Sequence, residues 1–367
     1  MNLKHIALYN FRNYTHLEAD FDKGVNLFVG DNAQGKTNLL EAIIYLGSGK
    51  SFRAQKNSEL VKFGEEFTSL EGSIFSQERD QSLKWVLFSD QKPRQLLLNG
   101  VKKKTAGEIS GVFQSVLFCP EDLMVLKAGS SARRRFADVA LCQMRPNYEA
   151  ALTEYQRILA QKSRILKDRF ENPALLQVLP EYNLRLCQVG ALLISYRARF
   201  FEGLKESAAK YHDLFSGGAE EFTMEYKTVS TVDDPFASIE KLTEQLQNHM
   251  ESHSRAELES AQCLTGPHKD DFTVFLSGIA LKEFGSQGQT RTAAISLKLA
   301  QRALMEKQSG QMPVLLLDDV LSELDPGRQN FILNQITDGQ VFITCCEPGR
   351  FTKLGKTLKI CKGQIVE

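Results

Sequence analysis

Residues Gly30-Asp31-Asn32-Ala33-Gln34-Gly35-Lys36-Thr37 have the types and the spacing of a loop that cradles phosphate. Two glycines let the backbone curl with its N–H groups facing inward, and a helix starting at the loop's end adds partial positive charge. Lys36 then reaches toward β and γ phosphates and Thr37 offers a hydroxyl to Mg²⁺, which implies binding of a nucleoside triphosphate. The setting agrees, because residues 25–29 form an apolar run that predicts a buried strand and residues 38–46 have helical spacing. Farther on, Pro313-Val314-Leu315-Leu316-Leu317-Asp318-Asp319 predicts an apolar strand ending in two carboxylates, with Ser322-Glu323-Leu324-Asp325 next. An acid at the C-terminal tip of a central strand organises Mg²⁺, directly or through water, and that role falls to Asp318. Asp319 is placed to polarise an attacking water. Phe284-Gly285-Ser286-Gln287-Gly288-Gln289, ahead of a helical run over 290–306, offers a second anion nest.

Such groups need an α/β scaffold, and the first 125 or so residues read as mixed strand and helix. Short apolar stretches between 67 and 98, separated by the polar turns 77–80 and 90–93, predict an antiparallel meander, and Asn99-Gly100 is a further hairpin signal. Residues 112–118 predict a strand returning to the core. From about 130 to 259 the period becomes helical: Tyr148, Ala151, Leu152, Tyr155, Ile158 and Leu159 recur at three- and four-residue steps, as do Leu192, Leu193, Tyr196, Phe200 and Leu204. Pro173 and Pro180 punctuate the two runs. The expected division is an ATPase part over 1–125, an inserted and mainly helical arm over 126–260, and the rest of the ATPase part over 261–367.

The chain has 367 residues, 42% of them hydrophobic and 25% charged, and no apolar run long enough to span a membrane, which excludes a subunit carrying its own pore. The start of the sequence lacks the apolar core of a secretory signal, so a cytoplasmic protein is expected. Seven cysteines show no Cys-x-x-Cys pair and no metal spacing with the six histidines, so they are read as buried reduced thiols. A formal charge of +0 means that affinity for nucleic acid must come from local patches. Residues 132–170 hold nine Lys/Arg against four acids, whereas 216–262 hold ten acids against three bases. That segregation predicts one basic face. The triplet Arg133-Arg134-Arg135 is read either as part of it or as a structural ion-pair cluster.

The ordered set of phosphate loop, Ser-x-Gly-Gln, strand with Asp-Asp and Ser-Glu-Leu-Asp resembles the ABC-type ATPase heads of the SMC and Rad50 class. More narrowly it resembles the RecF family of bacterial recombination mediators. The closer features are Asn10-Phe11-Arg12-Asn13-Tyr14, the loop extended to Asn38, Lys50-Ser51-Phe52-Arg53, residues 117–123 (Leu-Phe-Cys-Pro-Glu-Asp-Leu), Arg133-Arg134-Arg135-Phe136-Ala137-Asp138 and Gly266-Pro267-His268-Lys269-Asp270-Asp271. Roughly 250 residues separate Lys36 from Ser286, too few for a long coiled-coil tether; a helix of roughly 25 to 30 residues gives an arm of about 40 Å.

The resemblance implies that ATP held by residues 30–38 of one chain meets Ser286, Gly288 and Gln289 of a second, so that ATP closes a homodimer. It also implies that Arg12 reaches the α-phosphate and that Thr344 stands where transporter ATPases carry a switch histidine. A glutamine-loop ligand is missing around Pro120, Glu121 and Asp122. Asp319 replaces the usual glutamate, one methylene shorter, so slow, DNA-stimulated hydrolysis suited to a timing switch is expected. Binding to single- and double-stranded, gapped DNA, with RecO and RecR as partners in loading RecA, and a place in replication and the SOS response to DNA damage follow from the resemblance alone. A transporter-type ATPase and a nucleotide-dependent scaffold that touches DNA incidentally are the alternatives.

Overall fold

The computed structural model describes residues 1–90, 92–336, 338–346 and 353–366. The chain divides into two compact units, Met1–Leu123 with Lys298–Glu367, and Met124–Leu297.

In the first unit a six-stranded parallel-type sheet has the order β15-β14-β3-β13-β12-β8, built from β3 (Val25–Val29), β8 (Ser115–Phe118), β12 (Val314–Asp318), β13 (Val341–Cys345), β14 (Gly355–Cys361) and β15 (Gln364–Val366), the last antiparallel to its neighbour. The runs Val-Leu-Leu-Leu and Val-Phe-Ile are buried on both faces, which is why they are continuously apolar and not alternating. β8 begins at Ser115, three residues later than the apolar run predicts, because 112–114 form the turn that leads into it.

The second sheet of this unit is antiparallel, in the order β2-β1-β4-β5-β6-β7: β1 (Asn2–Phe11), β2 (Tyr14–Asp20), β4 (Phe67–Ser76), β5 (Arg79–Phe88), β6 (Gln95–Leu98) and β7 (Val101–Lys103). The predicted meander is present, with a tighter turn: only Gln77 and Glu78 lie between β4 and β5, both at positive φ, while Arg79 and Asp80 already pair with Ser76 and Phe75.

Helix α1 (Lys36–Ser48) lies between the two sheets, and every residue from Leu39 to Gly47 is buried. A helix buried on all sides is nearly continuously apolar, and Glu41 is the exception. Gly47 is forced by packing, since a Cβ there would lie 2.4 Å from the Phe113 carbonyl oxygen. The Trp85 indole donates to Leu46 O at 3.0 Å, satisfying a carbonyl at the helix end. Gln340, fully buried, joins the sheets: its amide accepts from Leu3 N and donates to Leu3 O and Asp22 O, each at 2.8 Å.

The second unit holds α2 (Ser130–Met144), α3 (Pro146–Asp168), α4 (Leu179–Ser216), α5 (Ile239–Ser252), α6 (Ser254–Ser260) and the short α7 (Leu281–Phe284). At 1.5 Å per residue the 23-residue α3 is about 35 Å long and the 38-residue α4 about 57 Å, so the arm exceeds the length expected from sequence. Pro180 does not break α4; it sits in its first turn, where a missing N–H costs nothing. The unit also contains a three-stranded antiparallel sheet, β11-β10-β9, of β9 (Phe222–Lys227), β10 (Asp271–Leu276) and β11 (Ile279–Ala280). Because β9 pairs with β10, residues 261–297 lie with the helical unit, and the second boundary falls at Leu297 inside α8 (Gln287–Ser309), not at 260. Helix α9 (Pro326–Gln335) belongs to the first unit, with Asp325 as its N-cap through Arg328 N at 3.1 Å.

Candidate nucleotide site

The loop 30–37 leaves β3 and enters α1 as predicted. Gly35 has φ 121°, and a Cβ there would meet the Tyr14 hydroxyl and the Asn13 amide at 2.8 Å each. Those two residues brace the loop from outside: Tyr14 donates to Gly35 O at 2.9 Å and Asn13 to Gln34 O at 3.0 Å. The Gln34 side chain accepts from Lys362 N at 2.7 Å, while Asp31, Asn32 and Ala33 form the exposed crest, with Ala33 at φ 64°. The Lys36 ammonium is turned into the loop, donating to Gly30 O at 2.5 Å and Asp31 O at 2.9 Å, with Cys346 Sγ at 3.7 Å.

Thr37 and Asp318, 281 positions apart in the chain, meet: the threonine hydroxyl donates to Asp318 Oδ1 at 2.9 Å. The same oxygen accepts from Thr344 Oγ1 at 2.9 Å, and Thr344 Oγ1 in turn accepts from Asp319 N at 2.8 Å. Parallel pairing sets Asp318 opposite Thr344, so the β12–β13 register makes this contact. Asp319 sits at φ 52°, in the left-handed region that aspartate tolerates, with its N–H donating to Thr344 Oγ1. Burial pushes the Asp318 carboxyl above the ordinary carboxylate range, opposed by the hydrogen bonds from Thr344 and Thr37. A desolvated carboxylate beside a threonine hydroxyl is a hard-oxygen donor pair that fits Mg²⁺. No group of three metal-ligating side chains occurs among the described residues, so further ligands would be phosphate oxygens and water.

Arg12 has a partner that the sequence reading did not anticipate. Its Nε and NH2 donate to the fully buried Glu41 of α1 at 2.8 and 2.9 Å, and NH1 donates to Glu59 O at 2.8 Å. Its φ of 53° belongs to the two-residue turn, Arg12-Asn13, that joins β1 to β2. Asn38 accepts from Arg53 at 3.2 Å and donates to Asn13 at 2.8 Å. Arg53 also lies close enough to lower the Asp318 pKa electrostatically, which makes it a cation facing the site that spacing alone does not reveal. Asp122 accepts from Cys119 N at 3.0 Å and pairs with Lys298 Nζ at 2.8 Å.

In the second unit, Ser286 and Gln289 form a reciprocal capping box at the start of α8: Gln289 N donates to Ser286 Oγ at 3.2 Å and Ser286 N to Gln289 Oε1 at 2.8 Å. Ser286 is exposed and Gly288 half-buried. Gln289 departs from the expectation of a ligand-facing amide, because its Nε2 donates inward to Glu220 at 2.7 Å.

The arginine triplet resolves toward structure at its first member. Arg133 is 1% exposed and forks onto Asp271, Nε to Oδ1 at 2.5 Å and NH2 to Oδ2 at 2.8 Å; Arg134 donates to Asp270 O at 2.7 Å. Lys162 is also buried, paired with Glu257 at 2.5 Å. Both leave the predicted basic face. Arg157, Arg164 and Lys167 of α3 remain exposed.

A family model described as the RecF/RecN/SMC N-terminal domain matches residues 2–366. A DNA replication and repair protein RecF of Agathobacter rectalis is 37% identical over 369 residues, covering 100% of this chain and 99% of the relative. The protein of that name from Listeria innocua is 40% identical over 351 residues, covering 94% and 92%. Among solved structures, the recombination mediator protein RecF with ATP, in the RecFOR pathway, is 35% identical with a TM-score of 0.90, covering 99% of this chain and 96% of that one. An Smc head bound to the C-terminal winged-helix domain of ScpA shares the fold alone, at 15% identity and a TM-score of 0.56 over 100% and 98% of the two chains.

Proposed function

Because the chain belongs to the RecF family of DNA replication and repair proteins, with the ABC-type ATPase head of the SMC class, we propose that it is an ATP-gated DNA clamp of recombinational repair. The observation that carries this reading is the convergence of Lys36, Thr37, Asp318 and Thr344 at the end of the parallel sheet, since an ATP-bound relative at TM-score 0.90 shares this architecture. Lys36 binds the β and γ phosphates, and the backbone N–H groups of 30–36 line them. Mg²⁺, held by Thr37 and Asp318, would neutralise charge on the β and γ oxygens. Thr344 holds Asp318 and the Asp319 backbone together, and Asp319 orients the attacking water. The shorter side chain of Asp319 fits slow hydrolysis; a DNA-stimulated turnover above about 10 s⁻¹, near the enzyme median, contradicts a timing switch.

Ser286 and Gly288 of one protomer close over the ATP of its partner, so the γ-phosphate controls dimerisation by linkage. The dimer binds gapped or junction DNA through its backbone, with α3 supplying Arg157, Arg164 and Lys167, and acts in the cytoplasm with RecO and RecR to load RecA, within replication and the SOS response. No helix of the described residues is long and apolar enough to cross a membrane. The test is solution mass without nucleotide, with ADP, and with ATP plus Mg²⁺, for wild type and Ser286→Arg. Dimers only in ATP, lost in the variant, support the reading; dimers of Ser286→Arg in ATP overturn the closure in trans.

A further inference from the structure

The capping box at the start of α8 is tied to a second element by a chain of polar contacts. Gln289 Nε2 donates to Glu220 Oε1 at 2.7 Å, and the other oxygen, Oε2, lies 2.9 Å from His212 Nε2. His212 is on α4, four residues before its end, with its side chain fully buried against the Phe222 ring at 5.4 Å. Its Nδ1 is buried with no partner among the described residues, so the ring's only polar tie there is to Glu220. Glu220 itself sits in the connection to β9 behind Gly217 and Gly218, both at positive φ. Its backbone neighbour is clamped too: Ser277 N donates to Glu221 O at 2.8 Å.

We propose that Glu220, braced by His212, is a positioning residue for the Ser286-Gln287-Gly288-Gln289 turn: it fixes the Gln289 amide so that Oε1 faces Ser286 N. An amide side chain has two nearly isosteric orientations, and only one presents Oε1 to Ser286 N while directing Nε2 at a carboxylate. Without an acceptor at Glu220 the amide is free to rotate, the capping box loses one of its two bonds, and the Ser286 hydroxyl and the first N–H groups of α8 are no longer held toward a phosphate. The carboxylate of Glu220 is held below the ordinary range by the Gln289 hydrogen bond first, then by His212. Glu220 thus acts through Gln289 and touches no nucleotide.

This inference rests on the reading that the turn closes a partner's ATP. The experiment compares Glu220→Ala, Glu220→Gln, Ser286→Arg and wild type, each for nucleotide affinity at low protein concentration, ATP-dependent dimerisation by solution mass, and hydrolysis split into kcat and KM. Glu220→Ala is expected to weaken the ATP-dependent dimer roughly tenfold and to lower kcat while leaving nucleotide affinity of the monomer as in wild type; Glu220→Gln, whose side-chain oxygen still accepts from Gln289, is expected to retain most of both. A dimer unchanged in Glu220→Ala, or an equal loss in Glu220→Ala and Glu220→Gln, overturns the positioning role. A dimer that survives Ser286→Arg overturns the closure itself and is read separately. Unchanged monomer affinity for nucleotide also reports that the variants are folded.

Discussion

Thr344 carries more of the site than its place on β13 suggests, because one hydroxyl both donates to Asp318 and accepts from Asp319 N. Thr344→Val keeps the shape and removes both bonds, leaving the buried Asp318 oxygen short of one donor and the Asp319 amide unpaired. It should cost about 1–3 kcal/mol of stability and weaken nucleotide binding, whereas Thr344→Ser should restore both; urea unfolding and nucleotide titration check this. His268 gives a pH-dependent prediction. Burial lowers its pKa from 6.5 to about 4. Its ring is paired in the neutral form, Nδ1 with the Tyr155 hydroxyl at 2.7 Å and Nε2 with Cys263 O at 3.0 Å. The unfolded chain therefore takes up the proton first. The stabilisation is complete above pH 6.5 and is lost as pH falls toward 4, by about 3 kcal/mol at most. Urea midpoints measured across that window should slope less in His268→Asn than in wild type.

At the scale of elements, the Arg133–Asp271 fork ties α2 to the start of β10. Arg133→Ala strands a carboxylate whose pKa is held low, with burial opposed by the Arg133 bonds. It should cost about 3 kcal/mol, the lower end for a broken buried pair, because the Asp271 side chain is 29% exposed. DNA affinity per folded molecule should stay as in wild type, since a side chain this buried meets no phosphate; filter binding on the folded fraction decides. Charge reversal at Arg157 or Lys167, on the exposed face of α3, should instead leave stability within about 0.5 kcal/mol and weaken DNA binding.

For the whole molecule, a formal charge of +0 means that the proposed DNA binding depends on local phosphate contacts. Affinity should fall linearly on a log–log plot against salt, and each α3 base removed should reduce that slope by about one. A slope unchanged by all three removals would place the DNA elsewhere. An ATP dimer of the kind proposed would double those contacts, and the slope should then be steeper in ATP than in ADP.

Much of the site was legible in the chain itself. Local order of strand, glycine loop and helix placed Lys36 and Thr37 at the start of α1. Apolar runs identified β3 and β12 as buried strands, and short apolar stretches between polar turns identified the meander. What the chain alone did not disclose were contacts between distant residues. The parallel register brings Thr344 to Asp318, the buried Glu41 takes two of the three Arg12 side-chain nitrogens, and residues 261–297 fall in the helical unit, where β10 pairs with β9. Arg133 and Lys162 look like any surface base until burial decides, since a charge run reads the same whether solvated or paired. Local pattern determines which elements form, while the partners of each polar group are chosen only when packing excludes water and every buried donor must find an acceptor.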